Sequence, residues 1–222
     1  YLSKRGDKVL ILSRNVSKLK SNIQADITNQ EKLKLILNKK FKSSKIDNVI
    51  FSQRYRGDIQ SEHFETDLFS TINVLSILKK KLKKNASIIL ISSISNRTIV
   101  DEQTLDYHVI RSGIEQMMRF CAVKFSSKGI RFNCILPSKI IKNSNKKFFF
   151  KEKKGIQVRK LIESITPLGR MGTSKDVANL ALFLTNKQSE YVTGQSFIVD
   201  GGLSLVSQES ILNTLKKKKK LF

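Results

Sequence analysis

The chain has 222 residues, 40% of them hydrophobic, enough for one sizeable core and too many for wholesale disorder. Its 42 Lys+Arg against 18 Asp+Glu give a formal net charge of +24. No apolar run reaches the roughly 20 residues a membrane span needs, and Cys121 and Cys134 are too few and too far apart for a disulfide framework or a cysteine-based zinc site.

Lys4, Arg5, Asp7 and Lys8 leave no room for the apolar core of a secretory signal, so a reducing cytoplasm is the expected compartment. A charge this positive invites nucleic acid or an anionic membrane surface. Only five of the charges come from the run Lys216 to Lys220, however, and the rest spread along the chain. That distribution reads as a lysine-filled exterior. The interleaved aromatics and recognition motifs of a nucleic-acid binder are absent, so no specific nucleic-acid partner is expected.

Strands and helices alternate along the chain. Residues 8–13 form a short apolar run that predicts a covered strand. Asn29 to Phe41 places Leu33, Ile36 and Leu37 at helical spacing. A second strand is predicted over 46–51, and a long helix over 64–84 that ends in a lysine-rich turn suited to the helix dipole. Residues 87–92 read as the most buried strand. Residues 106–127 read as a strong helix with Ile110, Ile114, Met117, Cys121 and Phe125 down one face, ended by Gly129. A strand over 130–136 stops at Pro137. Residues 138–165, with Phe148-Phe149-Phe150 among lysines, read as an irregular insertion, a substrate lid or a subunit contact. Residues 174–185 predict a helix capped by Ser174, and 196–199 a last strand closed by Gly201-Gly202.

This order predicts an α/β fold, a doubly wound parallel sheet in three α/β/α layers. One domain spans 1–207, followed by a lysine-rich tail over 208–222. Ligands of such sheets bind beyond the carboxyl ends of the strands. There Ser92-Ser93 follow one strand, and Tyr107 and Arg111 lie four apart on one face of the next helix. A cation near a phenol favours the phenolate and so suits it to acid/base work.

Several of these segments together resemble the short-chain dehydrogenase/reductase family: 87–93, Gly-Ile-Arg-Phe-Asn-Cys-Ile-Leu-Pro (129–137), Pro-Leu-Gly-Arg-Met-Gly (167–172) with Asp176-Val177-Ala178, Tyr191-Val192-Thr193-Gly194-Gln195, and Val199-Asp200-Gly201-Gly202. The resemblance implies a Rossmann-like fold and hydride transfer between a nicotinamide cofactor and the carbonyl or hydroxyl of a small molecule. It makes Tyr107 the acid/base, Ser93 the residue that orients the substrate oxygen (Ser92 if the alignment slips by one), and Arg111 the supporting cation. It places Arg14, Asp26, Ser52, Tyr107, Arg111, Pro137 and Thr166 at the cofactor, and gives Asn133, Gly169 and Gly194 structural roles. Arg14 suits a 2′-phosphate, so NADP is preferred to NAD. A homo-oligomer, dimer or tetramer, is implied through 64–84 and 106–127.

The sequence also departs from the family pattern. No Gly-rich turn precedes Val9, so a first strand–helix unit of roughly 20–30 residues is expected to be missing ahead of Tyr1, which reads as the end of a first helix. The family lysine is Arg111, its Asn-Asn-Ala-Gly turn is Phe51-Ser52-Gln53-Arg54, and its helix asparagine falls near Asp67. A catalytically silent relative, acting as a partner or regulatory subunit, is the alternative. His63, His108 and the two cysteines carry no metal expectation; the cysteines read as core, and His108 could touch substrate.

Overall fold

The computed structural model describes residues 6–14, 22–42 and 45–219. The turn expected through Leu19, the helix end expected at Tyr1 and the last of the terminal lysines lie outside them. Two short parallel strands come first, β1 (Ile11–Ser13) and β2 (Asn22–Gln24). β1 is shorter than the predicted 8–13. Next is α1 (Gln30–Lys40), whose first turn is held by the Asn29 side chain accepting from the Lys32 amide.

A four-stranded parallel sheet follows, in the order β3 (Ile46–Phe51), β4 (Leu82–Ile91), β5 (Arg131–Pro137), β8 (Ser196–Val199). Side chains alternate across it. Ile88, Leu90, Phe132, Cys134 and Leu136 face one core with Leu33 and Leu37 of α1. Ile89 and Ile135 face the other, against Ala181 and Leu184 of α7 (Ser174–Leu184). The first core is completed by α3 (Ser70–Leu78) and α4 (Leu105–Lys124). Helices on both faces of a parallel sheet give the expected three-layer class. Burial pushes the Cys134 thiol up to about 12, and the Cys121 thiol is also raised.

The predicted helix 64–84 differs from the structure at both ends. It begins earlier, as α2 (Gln60–Phe64), widens through a π-helical turn at Glu65–Phe69, and ends with α3 at Leu78. Leu82 is buried and pairs with Ile46 of β3, so the lysine-rich stretch opens β4 instead of closing a helix. Asn85, in the left-handed region at φ 63°, bends that strand under the Gly129 turn.

Residues 138–165 are not irregular. They fold into β6 (Ile140–Ile141), α5 (Lys146–Lys151) and α6 (Lys153–Ile165), with β6 paired to β7 (Gly172–Thr173). Half-buried Ile156, Arg159, Ile162 and Ile165 recur at helical spacing on α6; the surrounding lysines hid the pattern. The α7 cap is Thr173, one residue before the predicted Ser174, in a capping box with Asp176. The segment expected as a tail is helical as α8 (Gln208–Lys219) and packs on α6, with Ile211 and Leu215 half-buried.

Gly155 lets α6 cross α5 closely, because a β-carbon there would collide with the Phe148 carbonyl. Gly155→Ala is therefore expected to destabilise the protein by about 2 kcal/mol. Urea unfolding monitored by circular dichroism checks this.

Candidate active site

The residues expected to carry chemistry stand beyond the carboxyl ends of the strands: Arg14 after β1, Asp26 after β2, Ser52 after β3, Ser93 after β4, and Pro137 at the end of β5. Tyr107 and Arg111 come from the first two turns of α4 and are both buried. The Arg111 guanidinium lies 4.8 Å from the Tyr107 ring centroid, and the Arg54 guanidinium lies 4.9 Å from it. The phenol ring thus has two cationic neighbours, where the sequence offered one.

Behind it, Arg111 Nη2 donates to Asp67 Oδ2 in an ion pair closed to water. Asp67 reaches it from the π-helical turn and also accepts from the Tyr55 amide at 2.6 Å. Burial raises the Asp67 carboxyl above its ordinary range, while the Arg111 guanidinium, the Tyr55 amide and His63 pull the other way. His63 is buried, with its ring 5.9 Å from that of Tyr107, its Nδ1 2.5 Å from Asp106 Oδ2 and its Nε2 3.5 Å from Asp67 Oδ2. Sequence reasoning read His63 as lone; the i, i+4 spacing to Asp67 was a signal it passed over, while Asp106 is brought to it only by the fold.

The serines divide. Ser92 Oγ donates to the Arg111 carbonyl at 2.9 Å and anchors α4 to β4. Ser93 Oγ accepts from the Ser95 amide at 3.2 Å, next to Ser95 Oγ at 3.0 Å, at the start of a tight turn. Ser93 is only half-buried, and among the described residues its hydroxyl meets only Ser95. Both nitrogens of His108 are engaged, with the Thr104 carbonyl and the Val100 amide, so it braces the 94–106 loop and is not free for substrate.

Glu115 was not foreseen. It accepts from Asn96, Arg97, Arg119 and Ser196, tying α4 to the β4 turn and to β8. Asn133 donates to the Val192 carbonyl and accepts from the Gln195 amide, and Gly169 and Gly194 have positive φ.

Of the expected cofactor residues, Arg14 lies near enough to Asp26 for its charge to act on the carboxyl. Hydrogen bonds from Thr28 are the larger cause that holds Asp26 below its usual value. Thr166 is buried at the end of α6 with its methyl against Gly201, and Pro137 pairs with Val199, so both sit where β5 and β8 end. Ser52 is exposed.

A cleft of about 510 Å³ opens beside Tyr107. Its walls come from 54–60, 102–107 and 142–145, including Arg54, Arg56, Gln103 and Lys142. Arg14, Asp26, Ser52, Ser93, Pro137 and Thr166 do not line it. Among the described residues no group of three His, Cys, Asp or Glu is placed to hold a metal ion, and no helix is long and apolar enough to cross a membrane.

The profile of a family described as enoyl-(acyl carrier protein) reductase matches residues 6–204. The chain belongs to the short-chain dehydrogenase/reductase family. A tropinone reductase homolog of Arabidopsis thaliana is 29% identical over 153 residues, 68% of this chain and 57% of its own length. An L-rhamnose 1-dehydrogenase (NAD(P)(+)) of Sphingomonas is 30% identical over 149 residues, 66% of this chain and 57% of its own length. The chain thus spans about half the length of the curated relatives it matches. The structure of a short-chain dehydrogenase from Leptospira borgpetersenii with bound NAD+ superposes with a TM-score of 0.73 at 27% identity, covering 91% of this chain and 85% of that one.

Asp67→Asn would leave the Arg111 guanidinium of this short-chain dehydrogenase/reductase buried without a counter-charge. A loss of about 3–5 kcal/mol is expected in urea unfolding, largely recovered in Asp67→Leu/Arg111→Met, because burying a lone charge costs more than replacing the whole pair.

Proposed function

We propose that this chain reduces the carbonyl of a small molecule, or oxidises the corresponding alcohol, with NADP as cofactor. The observation that carries the reading is Tyr107, buried on the wall of a cleft with the Arg111 guanidinium beside its ring.

The residues present fit a nicotinamide cofactor. The expected binding groups line up along the carboxyl ends of parallel strands, and Arg111 Nε, beside Tyr107, is a buried donor without a partner among the described residues. Arg14 and Asp26 would hold the adenosine end, Ser52 the middle, and Thr166, Pro137 and Arg111 the nicotinamide end. Arg14 supports the choice of NADP, since a guanidinium pairs with a 2′-phosphate that a carboxylate repels.

The bound nicotinamide supplies or accepts the hydride. Tyr107 Oη gives its proton to the substrate oxygen as that oxygen gains charge, and takes it back in the reverse direction. The Arg111 and Arg54 guanidinium groups lie over the Tyr107 ring and hold it at the cleft while the proton moves. Ser93 orients the substrate oxygen, which requires its hydroxyl to turn from Ser95 when substrate enters. The buried, unbridged Cys121 and Cys134 suit a reducing compartment such as the cytoplasm.

Val109, Phe120 and Val123 form an exposed apolar row on α4, and Phe69 and Ile72 lie exposed on the neighbouring helical segment. This supports pairing with a second copy through these elements.

NADPH fluorescence is expected to rise or shift on mixing with the protein, more weakly for NADH. Tyr107→Phe is expected to keep that binding and lose turnover by about 10²-fold or more. No cofactor binding would overturn the proposal, and binding without turnover of any carbonyl would favour the silent alternative. Phe120→Glu is expected to shift the protein toward monomer in light scattering; an unchanged mass would argue against this face as the contact.

A further inference from the structure

The cleft beside Tyr107 holds more positive charge than acid/base chemistry needs. Arg54 reaches across to Gln103, with Nη2 2.9 Å from Oε1, and so stands at its inner end over the phenol ring. Arg56 is two residues away on the same wall. Lys142 comes from the opposite wall, just after β6, and is half-buried. Among the described residues its ammonium has neither a hydrogen-bond nor an ion-pair partner.

The cleft also carries carboxylates, but none of them pairs with Lys142. Asp106 is committed to His63 and Thr104 at the start of α4. Asp58 and Glu102 are exposed. The charges that act on Lys142 are those of Arg54, Arg56 and Arg111, all positive, and together with its burial they lower its affinity for a proton. A half-buried cation facing other cations without a counter-ion is a strained arrangement, and an anion seated among them relieves it.

We infer that Arg54, Arg56 and Lys142 form an anion subsite in the cleft beside Tyr107, and that the substrate carries a carboxylate or phosphate group in addition to the carbonyl that is reduced. The inference rests on the proposed function for the word substrate; the subsite rests on the placement and charge of the cleft residues. Guanidinium and ammonium groups converging from two walls give charge-assisted hydrogen bonds to an oxyanion. They would hold that end of the molecule while its carbonyl lies toward Tyr107.

The experiment is isothermal titration calorimetry of the protein with sodium malonate, a small dianion that is neither cofactor nor ketone. Lys142→Met is expected to weaken binding about tenfold, and Arg56→Gln about threefold, as the loss of charge-assisted hydrogen bonds predicts. Lys151→Met, on the exposed surface of α5, is expected to change nothing. Because Arg56 is exposed, its replacement leaves the fold intact even where Lys142→Met does not. Adding 2′,5′-ADP is expected to leave malonate affinity unchanged. The inference is overturned if malonate does not bind, if it binds Arg56→Gln and Lys142→Met as tightly as wild type, or if 2′,5′-ADP displaces it, which would assign the cations to the cofactor. Malonate binding needs no turnover, so intact binding with no NADPH oxidation would remove the oxidoreductase reading and leave the anion subsite standing.

Discussion

The burial of β4 and β5 on both faces constrains everything else in this molecule. Ser87–Ile91 runs beside Arg131–Ile135 in parallel register, and nearly every side chain of the two strands is closed to water. Parallel neighbours cannot be joined by a tight turn, so the chain must cross over each time through a helix. Those crossovers cover the sheet, α3 and α4 on one side and α7 on the other. The strands then all end along the same edge, where the connecting loops are free to hold polar side chains. Tyr107, Arg111, Ser93 and the cleft-lining segments 54–60 and 102–107 follow directly from that edge.

The site needs one local departure from regular structure. The π-helical turn at Glu65–Phe69 inserts an extra residue into the α2–α3 path, and the fully buried carboxylate of Asp67 meets Arg111 there. The pair links this path to α4, and Ser92 links α4 to β4. Arg111 is therefore held from three elements. Its guanidinium cannot follow the solvent as a surface arginine would, and it stays beside the Tyr107 ring. Arg54, held by Gln103, comes from the loop after β3, where this sequence departs from the small-residue turn of the family pattern.

The fold was legible wherever a segment carried its own pattern. Residues 88–91 are a short apolar run, 130–136 are apolar except for Arg131 and Asn133, and α1 and α4 show helical spacing, so their type was readable, though β4 begins five residues earlier than expected. Misreadings came where lysines masked the pattern. The stretch Lys79–Lys84 looked like the last turn of a helix because its decisive residue, Leu82, gains its meaning only by pairing with Ile46. The insertion 138–165 looked structureless because lysines interrupt its apolar residues, yet spaced Ile156, Ile162 and Ile165 suffice once α5 lies beside them. At the site, Tyr107, Arg111 and the nearby Asp67 were readable from motif and spacing. Arg56 and Lys142 were not, since each acts with residues far away in the chain; His63 had a readable i, i+4 partner in Asp67, but Asp106 reaches it only through the fold.

By itself the sequence determined the class of the fold and the family, because both rest on local periodicity and on short motifs that survive without knowledge of their neighbours. It also determined that Tyr107 and Arg111 share a helix face, which four residues of separation guarantee. Only the tertiary structure decided what surrounds them: a buried aspartate behind, a second guanidinium on the ring, and across the cleft a half-buried lysine whose ammonium meets no counter-charge among the described residues. Those relations join segments tens of residues apart, and the energy of a charge depends on the water and the counter-charges around it, which exist only once the chain has folded.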